Sequence, residues 1–388
     1  MKIMFYSQHI LGIGHFFRSM EIAAALRGHE VVFVEGGDPL AGFSAPAHVK
    51  RIFLPPLMMD AEFKTMEVRN GSLEETRAAR TGLFLRAFLD FAPDVLITEL
   101  FPFGRRQFRF ELMPVLRAVR EHRMNTRIVC SLRDILVEKA RQAEYEAWVL
   151  EILNTWYSLL LIHSDPRVVS LEETFTQVDK IAVPIHYTGF VARPLPAVGT
   201  KREQRVIVAS SGGGKVGADL LAGVIQAVHS MPDRDLRLDV LIGPFMDEGD
   251  RDFLAELAKR DSRTRLCPFS RDFPSELAAA ELSISMAGYN TCMDILNTGV
   301  KALVYPFPQN REQTLRARKL ESLGVVKVLD ALDGEELRGA IEEALSEGPR
   351  PDRRTEHIDM DGAARTSQLI QEHFGRQQEA TDPLVPGI

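Results

Sequence analysis

Three clusters of residues in this chain have types and spacings suited to chemistry. The first is a glycine-rich turn, Ser210-Ser211-Gly212-Gly213-Gly214-Lys215, directly after the apolar run 206–209. The second, Ser285-Met286-Ala287-Gly288-Tyr289-Asn290-Thr291, also opens from a strand-like run. A helix that starts at such a turn presents unpaired backbone N–H groups and its positive dipole end, which is a site for phosphate. Two such corners in one half of the chain predict loops that close on a single diphosphate. The third cluster lies in the other half: Gly12-Ile13-Gly14-His15 with Arg18 one turn on, Glu99 after the run 94–98, and Arg133-Asp134 after the run 127–131. His15 is the candidate catalytic base, because imidazole titrates near neutrality and a helix start favours its neutral form. Glu99, flanked by Leu100 and Phe101, competes for that role if desolvation raises its pKa, or else orients His15.

Positioning these groups requires a scaffold, and the apolar periodicity supplies one. Residues 2–6, 30–35, 49–54, 94–98, 127–131 and 159–163 read as strands, alternating with helical patterns at 16–27, 72–91, 108–123 and 137–157. The alternation restarts with strands at 205–209, 237–242, 264–267, 282–285, 301–305 and 325–329. This predicts an α/β chain of two doubly wound, Rossmann-like domains: 1–192, a Pro- and charge-containing linker at 193–204, and 205–350. Residues 351–388 form a final helix and a disordered tail. In parallel sheets, ligands bind beyond the carboxyl ends of the strands. All three clusters fall there, so two domains facing by those edges would enclose a cleft.

The composition agrees with a two-domain globular chain: 388 residues, 45% hydrophobic and 26% charged. A net charge of −7 argues against a nucleic-acid partner. Three scattered cysteines fit buried thiols in a reducing compartment, and no run has the core of a signal peptide or the length of a membrane span. The expected location is the cytoplasm. One apolar and basic stretch, Phe101-Pro102-Phe103-Gly104-Arg105-Arg106-Gln107-Phe108-Arg109-Phe110, reads first as packing within the first domain. Its alternative is docking on anionic lipid.

The run Ser285-Met286-Ala287-Gly288-Tyr289-Asn290-Thr291-Cys292-Met293-Asp294-Ile295-Leu296, followed by Pro306-Phe307-Pro308-Gln309-Asn310-Arg311-Glu312-Gln313, resembles a donor signature. It is that of the GT-B nucleotide-sugar glycosyltransferases, in the branch of the lipid-linked peptidoglycan N-acetylglucosaminyltransferase, whose C-terminal domain is of family 28. The resemblance implies a GT-B fold and an inverting transfer of a sugar from a nucleotide-diphosphate donor, UDP favoured, without metal or cofactor. It extends to a lipid-linked acceptor and peripheral contact at the inner face of the membrane. Ser210, Ser211, Gly212, Gly213 and Gly214 would hold the diphosphate with Gly288, Asn290 and Thr291, and Phe269 would stand in the loop that cradles the base. Asp294 stands where the family has a ribose-binding Glu, one methylene shorter, and Glu312 and Gln313 resemble the groups that bind the donor sugar. Gly14, Arg18 and Arg133 fall on the acceptor side.

Other readings are open at this point. Gly12-Ile13-Gly14-His15-Phe16-Phe17-Arg18 also resembles the start of nucleotide-sugar hydrolases of the same fold, where water replaces the acceptor, and epimerases of that fold are a further option. Gly212, Gly214 and Gly217 spell a dinucleotide fingerprint, which would make the chain a nicotinamide-dependent oxidoreductase. Asp239 sits too early in its strand for the matching ribose acid. A non-catalytic nucleotide-sugar sensor is the remaining alternative.

Overall fold

The computed structural model describes residues 1–8, 14–37, 43–59, 66–68, 71–137, 139–195, 205–213, 216–268, 270, 272–347 and 357–375. Its first sheet is built from β1 (Lys2–Ser7), β2 (Glu30–Glu35), β3 (Val49–Phe53), β6 (Val95–Glu99), β7 (Arg127–Arg133), β8 (Leu159–His163) and β9 (Ile185–Tyr187). A small antiparallel hairpin, β4 (Met58–Met59) and β5 (Met66–Glu67), stands apart from it. The second sheet contains β10 (Arg205–Ser210), β11 (Leu236–Leu241), β12 (Thr264–Cys267), β13 (Leu282–Met286), β14 (Ala302–Tyr305) and β15 (Lys327–Val328). The strand orders are β3-β2-β1-β6-β7-β8-β9 and β12-β11-β10-β13-β14-β15, with every pairing parallel. The chain therefore has the two doubly wound α/β domains that its periodicity predicts.

Near-continuous apolar strands follow from being covered on both faces. All of β8, Leu159-Leu160-Leu161-Ile162-His163, is buried. Helices α2 (Leu73–Phe91), α3 (Arg109–Glu121) and α4 (Gln142–Trp156) supply Phe84, Phe88, Leu112, Val115, Val149 and Leu153 to one face of the first sheet. Ser72 starts α2 with a capping box: its hydroxyl accepts from Glu75 N (3.1 Å), and the Glu75 carboxylate accepts from Ser72 N (3.1 Å). The other face carries α1 (Gly14–Ala25) and, from the far end of the chain, α11 (Gly362–Phe374), whose Leu369 and Ile370 pack with Phe16, Met20 and Ile22. The last helix thus joins the first sheet.

Around the second sheet, α5 (Ala218–Ser230), α6 (Glu248–Ala258) and α10 (Gly334–Ser346) cover one face. The other face is covered by α7 (Phe273–Ala278), α8 (Tyr289–Thr298) and α9 (Arg311–Ser322). That core continues across the domain boundary, where Ile135, Val168, Val169 and Phe190 pack with Phe273, Tyr289 and Met293.

Each sheet reverses its winding between two neighbouring strands, β1 and β6 in the first and β10 and β13 in the second. The loops after those strands diverge and leave a crevice at each switch point. His15 and Glu99 stand at the first crevice, Gly212 and Gly288 at the second.

The Phe101–Phe110 stretch packs inward. Phe101, Phe103 and Phe108 are buried in the first core, and Arg106 stacks on Trp148 at 4.4 Å. Those rings are not available to a lipid surface. Among the described residues no helix is long and apolar enough to cross a membrane. Cys130 and Cys292 are buried and Cys267 is half-buried, all as free thiols.

Candidate active site

The two crevices open into one cavity of about 210 Å³. Its second-domain wall consists of Ser210, Ser211, Gly212 and Gly213 after β10, and Gly288, Asn290 and Thr291 after β13. Gly212 has φ +74°, a left-handed conformation that costs a side-chain-bearing residue about 1–2 kcal/mol. A Cβ at Gly212 and one at Gly288 would each lie 3.9 Å from the Thr291 hydroxyl oxygen. The two glycine corners therefore converge on the same point. Gly212 N donates to the Ser210 hydroxyl (3.1 Å), and Gly243 N donates to the Ser211 hydroxyl (3.3 Å), which pins the first loop. Helix α8 begins at Gly288 with no side-chain cap, so its first N–H groups keep their capacity for a ligand.

The opposite wall comes from the first domain: Gly14, His15, Phe17, Arg18 and Arg133. Asn290 Nδ2 donates to Gly14 O (3.1 Å) and ties the two walls together. The His15 Nδ1 atom lies 2.7 Å from Glu99 Oε1, while its side chain keeps 20% exposure toward the cavity. Arg18 also donates to Glu99, and its guanidinium lies over the Tyr289 ring at 5.1 Å. Glu99 itself is fully buried beneath the cavity. An anionic Glu99 fixes the tautomer with Nδ1 protonated, leaving Nε2 as the lone-pair nitrogen, which no described residue meets.

Burial lowers the His15 pKa to about 3, against the pull of Glu99, so the ring is neutral at physiological pH. Desolvation, rather than the helix start, is the main cause. Glu99 corrects the expectation of a raised pKa. Burial would raise it, but His15, Arg18 and Arg105 around it hold the carboxyl well below the usual carboxylate range. Burial likewise lowers His163 to about 3; this ring bridges Ser131 (2.7 Å) and Thr188 (2.9 Å) under the site. Both imidazoles bind a proton near pH 6.5 when unfolded and near 3 when folded. Their contribution is therefore complete above about pH 6.5 and lost as the pH falls toward 3, at up to about 1.4 kcal/mol per unit for each ring. Urea unfolding at pH 7 and pH 5 is expected to show the loss, reduced in a His163→Gln variant; equal stabilities would contradict it.

Several residues expected at the site are occupied elsewhere. Asp294 does not line the cavity: it is buried and gripped by Arg193, whose Nε donates to Oδ1 at 3.2 Å. Arg193, assigned from sequence to the linker, itself lines the cavity. Glu312 is buried and ion-paired with Arg133 and Arg316, so it too is withdrawn from the lining. Gln313 does line the cavity, with its side-chain oxygen accepting from Phe307 N (3.0 Å). Gly214 and Phe269 lie outside the described residues. Phe273, the last residue of the loop read as cradling the base, does line the cavity, while the sequence reading gave no role to Arg193, placed in the linker, or to Tyr289 within the donor signature, though both line it too.

Charge also crosses between the domains. Arg316 donates to both oxygens of Asp134 (2.7 and 2.9 Å) and to Glu312 (2.7 Å), and it lies 5.3 Å from the Tyr289 ring centre. With Arg18 also against that ring, Tyr289 sits between one arginine of each domain.

Comparison with known proteins adds to this geometry. Residues 212–371 match the model of the glycosyltransferase family 28 C-terminal domain. The UDP-N-acetylglucosamine--N-acetylmuramyl-(pentapeptide) pyrophosphoryl-undecaprenol N-acetylglucosamine transferase of Rubrobacter xylanophilus is 31% identical over 106 residues, 26% of this chain and 31% of that protein. The protein of the same description from Brucella anthropi is 28% identical over 164 residues, 41% of this chain and 44% of its own length. The matched segments thus span less than half of these curated relatives. Among solved structures, CalG4, the calicheamicin glycosyltransferase, superposes with a TM-score of 0.60 at 16% identity, covering 99% of both chains. The GT-B fold is established by that likeness, and the resemblance read from the donor signature is borne out.

Proposed function

We propose, on the premise that this is a GT-B chain with a family 28 glycosyltransferase C-terminal domain in residues 212–371, that it transfers a sugar from a nucleotide-diphosphate donor to an acceptor hydroxyl. The observation that carries the reading is the single cavity that unites both glycine corners with His15 on the facing wall. The diphosphate would sit against Ser211, Gly212, Gly213 and the start of α8, where backbone N–H groups and the helix dipole stabilise the charge of the leaving group. The described lining residues include Arg18, Arg133 and Arg193 and no carboxylate. That set can neutralise phosphate oxygens by itself, and the proposed transfer uses no metal.

The acceptor hydroxyl attacks the anomeric carbon, the bond from that carbon to the diphosphate oxygen breaks, and the hydroxyl proton passes to His15 Nε2. Glu99 then stabilises the imidazolium. With the diphosphate against the glycine corners and His15 on the facing wall, the proposed attack is in line and inverts the anomeric configuration. UDP is the proposed nucleotide, in keeping with the relatives' names. Those names describe a pyrophosphoryl-undecaprenol acceptor; a lipid-linked acceptor, met from the cytoplasm at the membrane's inner face, extends the reading to this chain.

A thermal-shift series with UDP, GDP, ADP and dTDP tests the donor site. UDP is expected to raise the melting temperature most, with about 2.7 kcal/mol of stabilisation at one hundred times its Kd. No shift with any of them would remove the donor assignment. Rapid release of free sugar from the donor alone would move the assignment to hydrolysis.

A further inference from the structure

In the proposed complex the nucleotide runs from the glycine corners toward the loop that ends at Phe273, and its ribose passes Arg193. That arginine lines the cavity, and its guanidinium grips Asp294 while lying over the Phe273 ring at 5.9 Å. Asp294 follows Asn290 by one turn of α8, so the two share a helix face, and Asn290 lines the cavity. A carboxylate is the usual partner of ribose hydroxyls, because it accepts from them and has nothing to donate.

Here both oxygens of that carboxylate are taken. Arg193 Nε donates to Oδ1 at 3.2 Å and Nη2 donates to Oδ2, and Asp294 is 1% exposed. The backbone of Arg193 is tied to the same helix. Asn297 Nδ2 donates to Arg193 O (2.7 Å), and two residues earlier Val191 N donates to the Tyr289 hydroxyl (3.3 Å). A second acid, Glu21 of α1, feels the charges of both Arg193 and Asp294, so removing the cation would leave two acids facing each other. Breaking a buried two-point ion pair costs more than a hydrogen bond to a neutral hydroxyl returns. Among the described residues no carboxylate lines the cavity, so none there replaces Asp294.

We infer that Arg193 withholds Asp294 from the ribose, so that the donor site does not read the 2′-hydroxyl and admits ribo- and deoxyribonucleoside diphosphates alike. The inference rests on the transferase reading and deepens it, because it names the class of nucleotide the donor site takes. Selection among nucleotides then falls to the base and the diphosphate. Arg193 sets this specificity through Asp294 and has no part in the bond-making steps.

The test is calorimetry on the full-length protein with UDP and, separately, 2′-deoxy-UDP, which differ by that one hydroxyl. The two Kd values are expected to agree within about threefold, whereas a carboxylate bound to the hydroxyl would weaken the deoxy compound by about tenfold or more. Arg193→Gln takes the cation from Asp294 and frees it for the ribose, so the preference for UDP should rise to about five times the wild-type ratio or more. If Arg193→Gln does not fold, Arg193→Lys serves: it keeps the charge but loses the two-point grip, with an expected ratio about twice that of the wild type or more. A wild-type preference for UDP beyond about threefold, or an unchanged ratio in a folded variant, would overturn the inference. A failure of UDP itself to bind would instead strike the donor assignment, which separates the two.

Discussion

Replacing His15 with alanine is expected to reduce sugar transfer by about 10²–10⁴-fold, the range for loss of a positioned general base, with the UDP thermal shift retained. The expectation rests on where the ring stands. Its Nδ1 is committed to Glu99 at 2.7 Å and its remaining exposure is toward the cavity, so Nε2 is the nitrogen that reaches an acceptor. Because burial lowers its pKa to about 3, the ring is neutral across the physiological range and its Nε2 lone pair is free of a proton. The pH profile of kcat/KM in the wild type should accordingly lack an acid limb near pH 6.5, where an ordinary imidazole would give one. Glu99→Gln keeps a hydrogen-bonding atom near Nδ1 but removes the charge that stabilises the imidazolium, so turnover should fall there too with UDP affinity unchanged. Turnover in His15→Ala within a factor of about two of wild type would reject the base assignment.

Arg316→Met is expected to cost about 3–5 kcal/mol of stability, because it leaves the buried Asp134 without its hydrogen-bonded cation and Glu312 with Arg133 alone. Asp134 in the first domain and Glu312 in α9 both accept from this guanidinium, which is 2% exposed. Methionine fills similar volume, so the loss reports charge rather than packing. Since Asp134 and Arg316 belong to different domains, the same change should loosen the cleft and raise KM for donor and acceptor together. Adding Asp134→Asn should cost less than the sum of the single changes, as expected for a coupled pair. Urea unfolding of the three variants decides it; a stability within about 0.5 kcal/mol of wild type would show that the pair is not a domain latch.

Much of the scaffold was legible because parallel strands covered on both faces carry continuous apolar runs, and each helix between them carries a periodic stripe. The run at 264–267 became β12 with the same bounds, and the helix read at 72–91 became α2 one residue shorter, behind its Ser72 cap. The run at 325–329 contracted to β15, Lys327–Val328, at the sheet edge, where pairing on one side only leaves less to hold a strand. The short edge strand β9 was missed altogether: Ile185-His186-Tyr187 is too brief for alternation to register. The glycine corners were legible for a related reason, since only a few residue types suit a strand-to-helix turn that admits phosphate.

Side-chain allegiance was not legible. Asp294 and Glu312 carry the charges the donor signature suggests, and both are held by arginines, Asp294 by Arg193 and Glu312 by Arg133 of the first domain as well as by Arg316 one turn on. Glu99 reads as an acid that desolvation would protonate, and the arginines that reverse that outcome come from α1 and from the turn after β6. Local sequence determined the strands, the helix starts and the loops at the two switch points, because those depend on periodicity and turn chemistry within a few residues. Which carboxylates are drawn away from the cavity by arginines, and how His15 meets the glycine corners, were decided by the tertiary structure. Electrostatic pairing acts through space between segments far apart in the chain, and no local pattern encodes it.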